Sequence, residues 1–330
     1  MKAITVVLGV VLVVAGCSAD PGAVGTQNPA AVQPLPADAK EVKGLDEPSV
    51  DTSCGDPKAS FRPPGTPAEL SAGTTVSDIR ARGRLIVGVD QNTFGFAFRD
   101  SKSGEIQGFA LDIARDVANA IFGAAAVAGD PTKVQLVVLT SNQRIDAVKK
   151  GEVDLVVHSM TTNCERWEDV DFSTVFYEAN QRVLVRSDVA DRYEGVTSLA
   201  GKKVCATEGS TSLARIVNED VTPKPVGMQV PGWTDCLVMM QQYQVDAIST
   251  DDTILAGLVA QDPFVRMVGG TIAQEPYAIA MPKHHEDFVR FVNAVLEQIK
   301  ADGTWTAHYD KWLAPLLGPA PTPPVAAYRN

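Results

Sequence analysis

The sequence lacks the signatures of most hydrolases and nucleotide-binding enzymes. It has no G-x-S-x-G elbow, no H-E-x-x-H helix and no G-x-G-x-x-G turn. Only four histidines occur, and no C-x-x-C pair exists. The adjacent His284 and His285 stand far from every cysteine, so the usual zinc spacings are excluded and neither a metal nor another cofactor is expected. A basic surplus is missing too: 29 Lys and Arg face 40 Asp and Glu, for a net charge of −11. That argues against nucleic acid or an anionic membrane surface as the main partner, since both reward clustered cations. No apolar run reaches the roughly 18 residues of a spanning helix. What remains open is a small charged ligand in a locally basic pocket. A hydrophobic content of 45% over 330 residues supports a packed core, as one large domain or two lobes.

The N-terminus reads as an address. Lys2 precedes an apolar stretch that ends at Gly16, too short to span a bilayer but suited to a secretory signal. Val14-Ala15-Gly16-Cys17 resembles a bacterial lipobox. The expectation is a signal peptide over 1–16, a lipid on Cys17 and an extracytoplasmic protein held to the outer face of the cell membrane. Cys54, Cys164, Cys205 and Cys236 then remain. An even number in an oxidising compartment suggests two disulfides, and the residues leave three pairings open. Residues 17–75 read as a Pro-rich tether from lipid to folded body, and 319–330 as a disordered Pro-rich tail.

Between these ends, strand and helix signals alternate. Leu85–Val89 is a short apolar strand, and Phe109–Phe122 shows helical spacing through Leu111, Ile113, Val117 and Ile121. Strand signals recur at 134–139 and 153–157, with a helix at 142–150 between them. The order resumes with strands at 203–206 and 245–248, separated by helices from Ser212 and over 235–243. Such alternation predicts an α/β fold with parallel sheets, whose ligands bind at strand carboxyl ends. Gly151-Glu-Val-Asp and Tyr243-Gln-Val-Asp each lead a strand into a polar run, one in each half of the chain. A cleft between two lobes would bring those runs together.

Three polar segments follow strands. His158 to Arg166 offers a guanidinium beside hydroxyls, and the planar Arg fork suits a carboxylate. Glu208-Gly-Ser-Thr-Ser212 places backbone N–H groups and hydroxyls at a helix start, which suits an anion or a plain N-cap. Thr250-Asp251-Asp252 offers a carboxylate to an ammonium group, or a second N-cap. An Arg, an anion-binding turn and an Asp together describe a receptor for a zwitterion.

From about Ser77 to Leu313 the chain resembles the extracytoplasmic amino-acid-binding proteins of ABC importers (solute-binding protein family 3), in particular actinobacterial GlnH-like lipoproteins. The resemblance is carried by Gly83-Arg-Leu-Ile-Val-Gly-Val-Asp90, Gly108-Phe-Ala-Leu-Asp-Ile113, Glu165-Arg166 leading to Val170-Asp-Phe-Ser173, Leu199-Ala-Gly-Lys202, Asp251-Asp-Thr-Ile-Leu-Ala-Gly257, and Asp302-Gly-Thr-Trp305 through Trp312. It implies a two-lobed type II periplasmic-binding-protein fold with a ligand cleft between lobes. The first lobe would hold 76–182 and 277–318, and the second 183–276. It also implies the pairs Cys205–Cys236, within the second lobe, and Cys54–Cys164, from the tether to the first lobe.

Thr140-Ser-Asn-Gln-Arg-Ile145 and Ser159 to Arg166 resemble the glutamate/aspartate-binding branch. That likeness implies Ser141 and Arg144 at the side-chain carboxylate, and Ser159, Thr161 and Arg166 at the α-groups, with Arg166 on the α-carboxylate. Thr211 matches a second-lobe carboxylate donor and Asp251 the ammonium acceptor. Asp90 stands where that branch has an arginine, and Trp233 where it has a histidine. Thr93 and Ser141 stand where glutamine binders place aromatics. The ligand implied is a free polar L-amino acid, glutamate or aspartate preferred, with asparagine or glutamine tolerated. Partners would be an ABC permease and ATPase, or a membrane sensor if binding reports amino-acid availability, and the bilayer through Cys17. A dehydratase on the same scaffold is the competing enzyme reading, with Glu208 or His158 as its only nearby acid–base candidates; the expectation is a binding protein, not an enzyme.

Overall fold

The computed structural model describes residues 34–45 and 53–329. The signal peptide expected over 1–16 and the lipidation site Cys17 lie outside them. Two sheets organise the fold. In the first lobe the strand order is Val134–Val138, Leu85–Val89, Leu155–Val156, Ala280–Pro282, Val170–Phe172. The first three pair in parallel, and Ala280–Pro282 is antiparallel to both of its neighbours. Phe109–Phe122 is a helix over the predicted span; its buried stripe of Leu111, Ile113 and Val117 packs into a core with Phe288, Phe291 and Trp305. The opposite face of the sheet buries a smaller cluster around Val156, Met160, Trp167 and Phe172.

The second lobe has a six-stranded sheet ordered Lys40–Val42, Val226–Val230, Lys203–Thr207, Ala247–Asp251, Tyr177–Arg186, Val265–Tyr277. Lys203–Thr207 runs parallel to Val226–Val230 and to Ala247–Asp251. Tyr177–Arg186 and Val265–Tyr277 pair antiparallel over most of their length, from Tyr177 opposite Tyr277 to Arg186 opposite Val265. These two long strands carry the chain between the lobes. At one end Tyr277 and Tyr177 belong to the first-lobe core, while Val183, Leu184 and Val268 belong to the second. Disulfides join Cys205 to Cys236 inside the second lobe and Cys54 to Cys164 in the first.

The ends of the fold correct two readings of composition. Much of the expected tether is built into the body. Lys40–Val42 adds an antiparallel edge strand to Val226–Val230. Residues 53–75 hold the Cys54 bridge, the strand Ala59–Phe61 and a short helix, Pro67–Leu70, opened by a Thr66–Glu69 capping box. The tail over 319–330 was expected to be disordered, yet Ala327–Arg329 pairs in parallel with Ala59–Phe61. Proline removes donors but not acceptors, so a Pro-rich run can lie extended and be held from outside. Lys300 Nζ donates to the Pro324 carbonyl at 3.0 Å and to that of Val175 at 2.7 Å. The Arg329 guanidinium sits 3.8 Å from the Trp167 ring centroid and donates to the Ala59 carbonyl. Composition registers none of these tertiary partners.

Candidate functional site

The predicted polar residues come from element ends that meet between the lobes. Arg144 opens the helix Arg144–Lys149, Thr211 opens Thr211–Asn218, Trp233 opens Trp233–Gln241, and Asp251 ends its strand as the N-cap of Asp252–Gln261. Ser159 and Thr161 follow the strand Leu155–Val156, and Arg166 lies in the short helix Cys164–Asp169. Its start is fixed twice, by the Asn163 side chain accepting from the Arg166 N–H at 2.9 Å and by the Cys54–Cys164 bridge. Ser141, Arg144, Ser159, Thr161, Arg166, Thr211, Trp233 and Asp251 line one tight cavity of about 10 Å³. A wider hollow of about 550 Å³ adjoins it, shares Ser141, Arg144, Arg166 and Thr211, and includes Glu208.

The two arginines are held by carbonyls rather than carboxylates. Arg144 is 2% exposed; its Nε donates to the Ser141 carbonyl at 2.8 Å and its Nη1 to that of Ser159 at 2.6 Å. Burial, and next the neighbouring Arg166 charge, lower its pKa to about 9. Arg166 donates from Nη1 to the Thr161 carbonyl and from Nη2, at 3.0 Å, to the Gly209 carbonyl of the second lobe. Among the described residues neither guanidinium has a carboxylate within ion-pair distance. Two cations without a carboxylate within ion-pair distance therefore share this end of the cavity. Gly209 is required where the lobes meet: its φ is +71°, and a Cβ would lie 3.0 Å from the Asn142 Cα.

The other pole is a buried carboxylate. Asp251 accepts from the Tyr277 hydroxyl and, at 3.4 Å, from that of Ser212. Burial and the negative charge of Glu275 push its carboxyl well above the usual carboxylate range, while the Tyr277 hydrogen bond acts in the opposite sense. Trp233 is buried and its Nε1–H has no hydrogen-bond partner among the described residues. The same residue lines the cavity.

Asp90 is not a line of this cavity. Its Oδ1 accepts from the Gln91 and Asn92 N–H groups, at 2.7 and 3.1 Å, and its Oδ2 accepts from the Thr93 hydroxyl. It acts on the site at a distance, as one of the negative charges that favour protonated Arg144. His158 is buried, with a pKa lowered to about 4 by desolvation and then by Arg144. Three residues escaped sequence reasoning: Glu275 and Tyr277, on the long strand Val265–Tyr277, and Arg215 beside Glu275. The available signal was Gln274-Glu275-Pro276-Tyr277, a charged residue placed just before the apolar run Ala278 to Met281.

The fold is a two-lobed α/β architecture, and two guanidiniums and one buried carboxyl group line a single cavity in it. The model of the bacterial extracellular solute-binding proteins, family 3, matches residues 85–315, and the chain belongs to that family. It is 32% identical over 250 residues to the ABC transporter glutamine-binding protein GlnH of Bacillus subtilis, covering 76% of this chain and 88% of the relative. It is 30% identical to the glutamate-binding protein GluB of Corynebacterium glutamicum, over 68% of this chain and 76% of the relative. Among solved structures it resembles the ancestral amino-acid-binding protein AncCDT-1, a precursor of cyclohexadienyl dehydratase. That likeness has 30% identity and a TM-score of 0.63, over 72% of this chain and 99% of that one.

Proposed function

We propose that the protein captures a free polar L-amino acid, glutamate or aspartate in preference to asparagine or glutamine, by closure of its lobes, and delivers it to a membrane ABC importer. The reading includes the lipid anchor at Cys17, which would keep the receptor beside its permease on the outer face of the membrane. One observation carries the ligand assignment: two guanidiniums without carboxylate partners line the same cavity as one buried carboxylate. A zwitterion uses Arg166 and Asp251, and Arg144 is then left for a second carboxylate. Ser141 and the Trp233 N–H are further donors for an acidic or amide side chain. The relatives named for glutamine and glutamate fit a ligand of this size and polarity.

Calorimetric titration of Glu, Asp, Gln and Asn tests this directly. At least one should bind, the acids more tightly, and each should be recovered chemically unchanged. Turnover detected by NMR would support the dehydratase reading, to which the likeness to AncCDT-1 gives some weight. Against catalysis stands His158, neutral and held between the Leu139 carbonyl and Ser159.

The raised carboxyl of Asp251 adds a pH dependence. An ammonium group binds the carboxylate, not the acid. A carboxyl whose pKa is raised must lose its proton at a higher pH than the usual value of about 3.9, and ligand binding then displaces that proton. Affinity should therefore fall as pH is lowered, with the decline starting above the range of an ordinary Asp. Dissociation constants that stay flat into that ordinary range would remove Asp251 from the ammonium site.

A further inference from the structure

The strand Val265–Tyr277 carries one side chain that the proposed ligand set leaves unused. Glu275 is fully buried. Its Oε2 accepts from the Thr161 hydroxyl of the first lobe and, at 2.8 Å, from the Thr211 hydroxyl of the second. Its Oε1 lies 3.5 Å from Arg215 Nη2. A hydroxyl has one proton to donate. Thr161 and Thr211 both commit theirs to Glu275, so towards any third group they present only lone pairs. Ser159 is constrained in the same direction. His158 Nε2 faces the Leu139 carbonyl at 3.3 Å, which can only accept, so in the neutral ring Nδ1 accepts from Ser159 Oγ at 3.2 Å.

We propose that Glu275 is a positioning residue that fixes the hydrogen-bond polarity of the cleft, holding one threonine from each lobe on a single oxygen and turning both hydroxyls into acceptors for a ligand N–H. The inference rests on the reading of the cavity as an amino-acid site. It assigns Thr161 and Thr211 to the ammonium pole with Asp251, rather than to the ligand carboxylate, which is left to the arginines. A primary ammonium has three N–H bonds, and these three residues supply three acceptors. The same contacts tie one threonine of each lobe to a single side chain of the strand Val265–Tyr277.

The test compares Glu275→Gln with wild type by calorimetry, using glutamate, aspartate, glutamine and asparagine, across a pH series. The variant should bind at least tenfold more weakly. Its acid limb should also move to lower pH, because Asp251 loses a negative neighbour while Asp252, Arg144 and Tyr277, which also face it, are unchanged. Arg215 and Arg166, the cations that face Glu275, are likewise retained. A merely structural role would weaken binding without moving the limb, and that result, or unchanged binding, would overturn the inference. If Glu275→Gln does not fold, Thr161→Val and Thr211→Val replace it. Sharing one acceptor, they should be non-additive by at least threefold in Kd, and additive losses would overturn the proposal. Failure of wild type to bind any of the four would instead reject the amino-acid reading itself.

Discussion

Arg166→Ala should abolish measurable binding of every amino acid while leaving a folded protein. The guanidinium spans the cleft, with one nitrogen on the Thr161 carbonyl and another on the Gly209 carbonyl of the opposite lobe. Removing it deletes the fork for the α-carboxylate, which every amino acid carries, and also a contact that forms between lobes. Truncating the partner of a desolvated charge costs on the order of 2–5 kcal/mol, or roughly 30- to several-thousand-fold in Kd. Arg166→Lys keeps the charge but not the planar fork, and should fall between. Calorimetry beside a thermal melt decides this. A folded Arg166→Ala variant that binds within a few-fold of wild type would place the α-carboxylate elsewhere.

Arg144→Ala should separate acids from amides. The side chain has two jobs: it ties the Ser141 and Ser159 carbonyls together, and it supplies a buried cation without a counter-ion. Loss of the first affects all ligands alike. Loss of the second penalises Glu and Asp, because an amide forfeits only an ordinary hydrogen bond, about 0.5–1.5 kcal/mol, against about 1.5–3 kcal/mol for a charged partner. The difference between the two ligand classes is therefore the informative quantity. Asp90 works against it by placing a negative charge near Arg144, though that carboxylate is held by its own turn. Equal losses for acids and amides would show that Arg144 is structural and that the acidic preference fails.

Much of the architecture was readable because alternation of apolar runs and amphipathic stretches is a local property. Leu85–Val89 and Phe109–Phe122 have the spans that their periodicity suggests. Other strands differ by a few residues: the apolar run at 153–157 forms a ladder only over Leu155–Val156, since hydrogen-bond pairing rather than hydrophobicity bounds a strand. The residues proposed for the site converge because strand ends deliver them to one edge. Glu275 was not readable in this way. It sits near the end of a long strand, remote in sequence from every polar run, and acquires meaning only through Thr161 and Thr211. Trp233 was noted by position, but its unpartnered N–H emerges only from the packing around it. The misread termini have the same cause. Lys40–Val42 and Ala327–Arg329 are short segments whose partners lie far along the chain, and no local pattern marks them.

That last pairing bears on how the molecule is made. Arg329 and the Ala59 carbonyl it contacts are 270 residues apart. Chains grow from the N-terminus at about 5–20 residues per second, so the later partner follows the earlier by roughly 14–54 s. Closing so long a loop is also slow and entropically costly. Once Trp167 is made, its edge with Phe61 waits a further 329 − 167 = 162 residues, roughly 8–32 s at that rate, without the arginine that finally caps both rings. A chain stalled or clipped short of Arg329 therefore exposes this edge, on the side of the first lobe that holds the Cys54 bridge, rather than the ligand cleft.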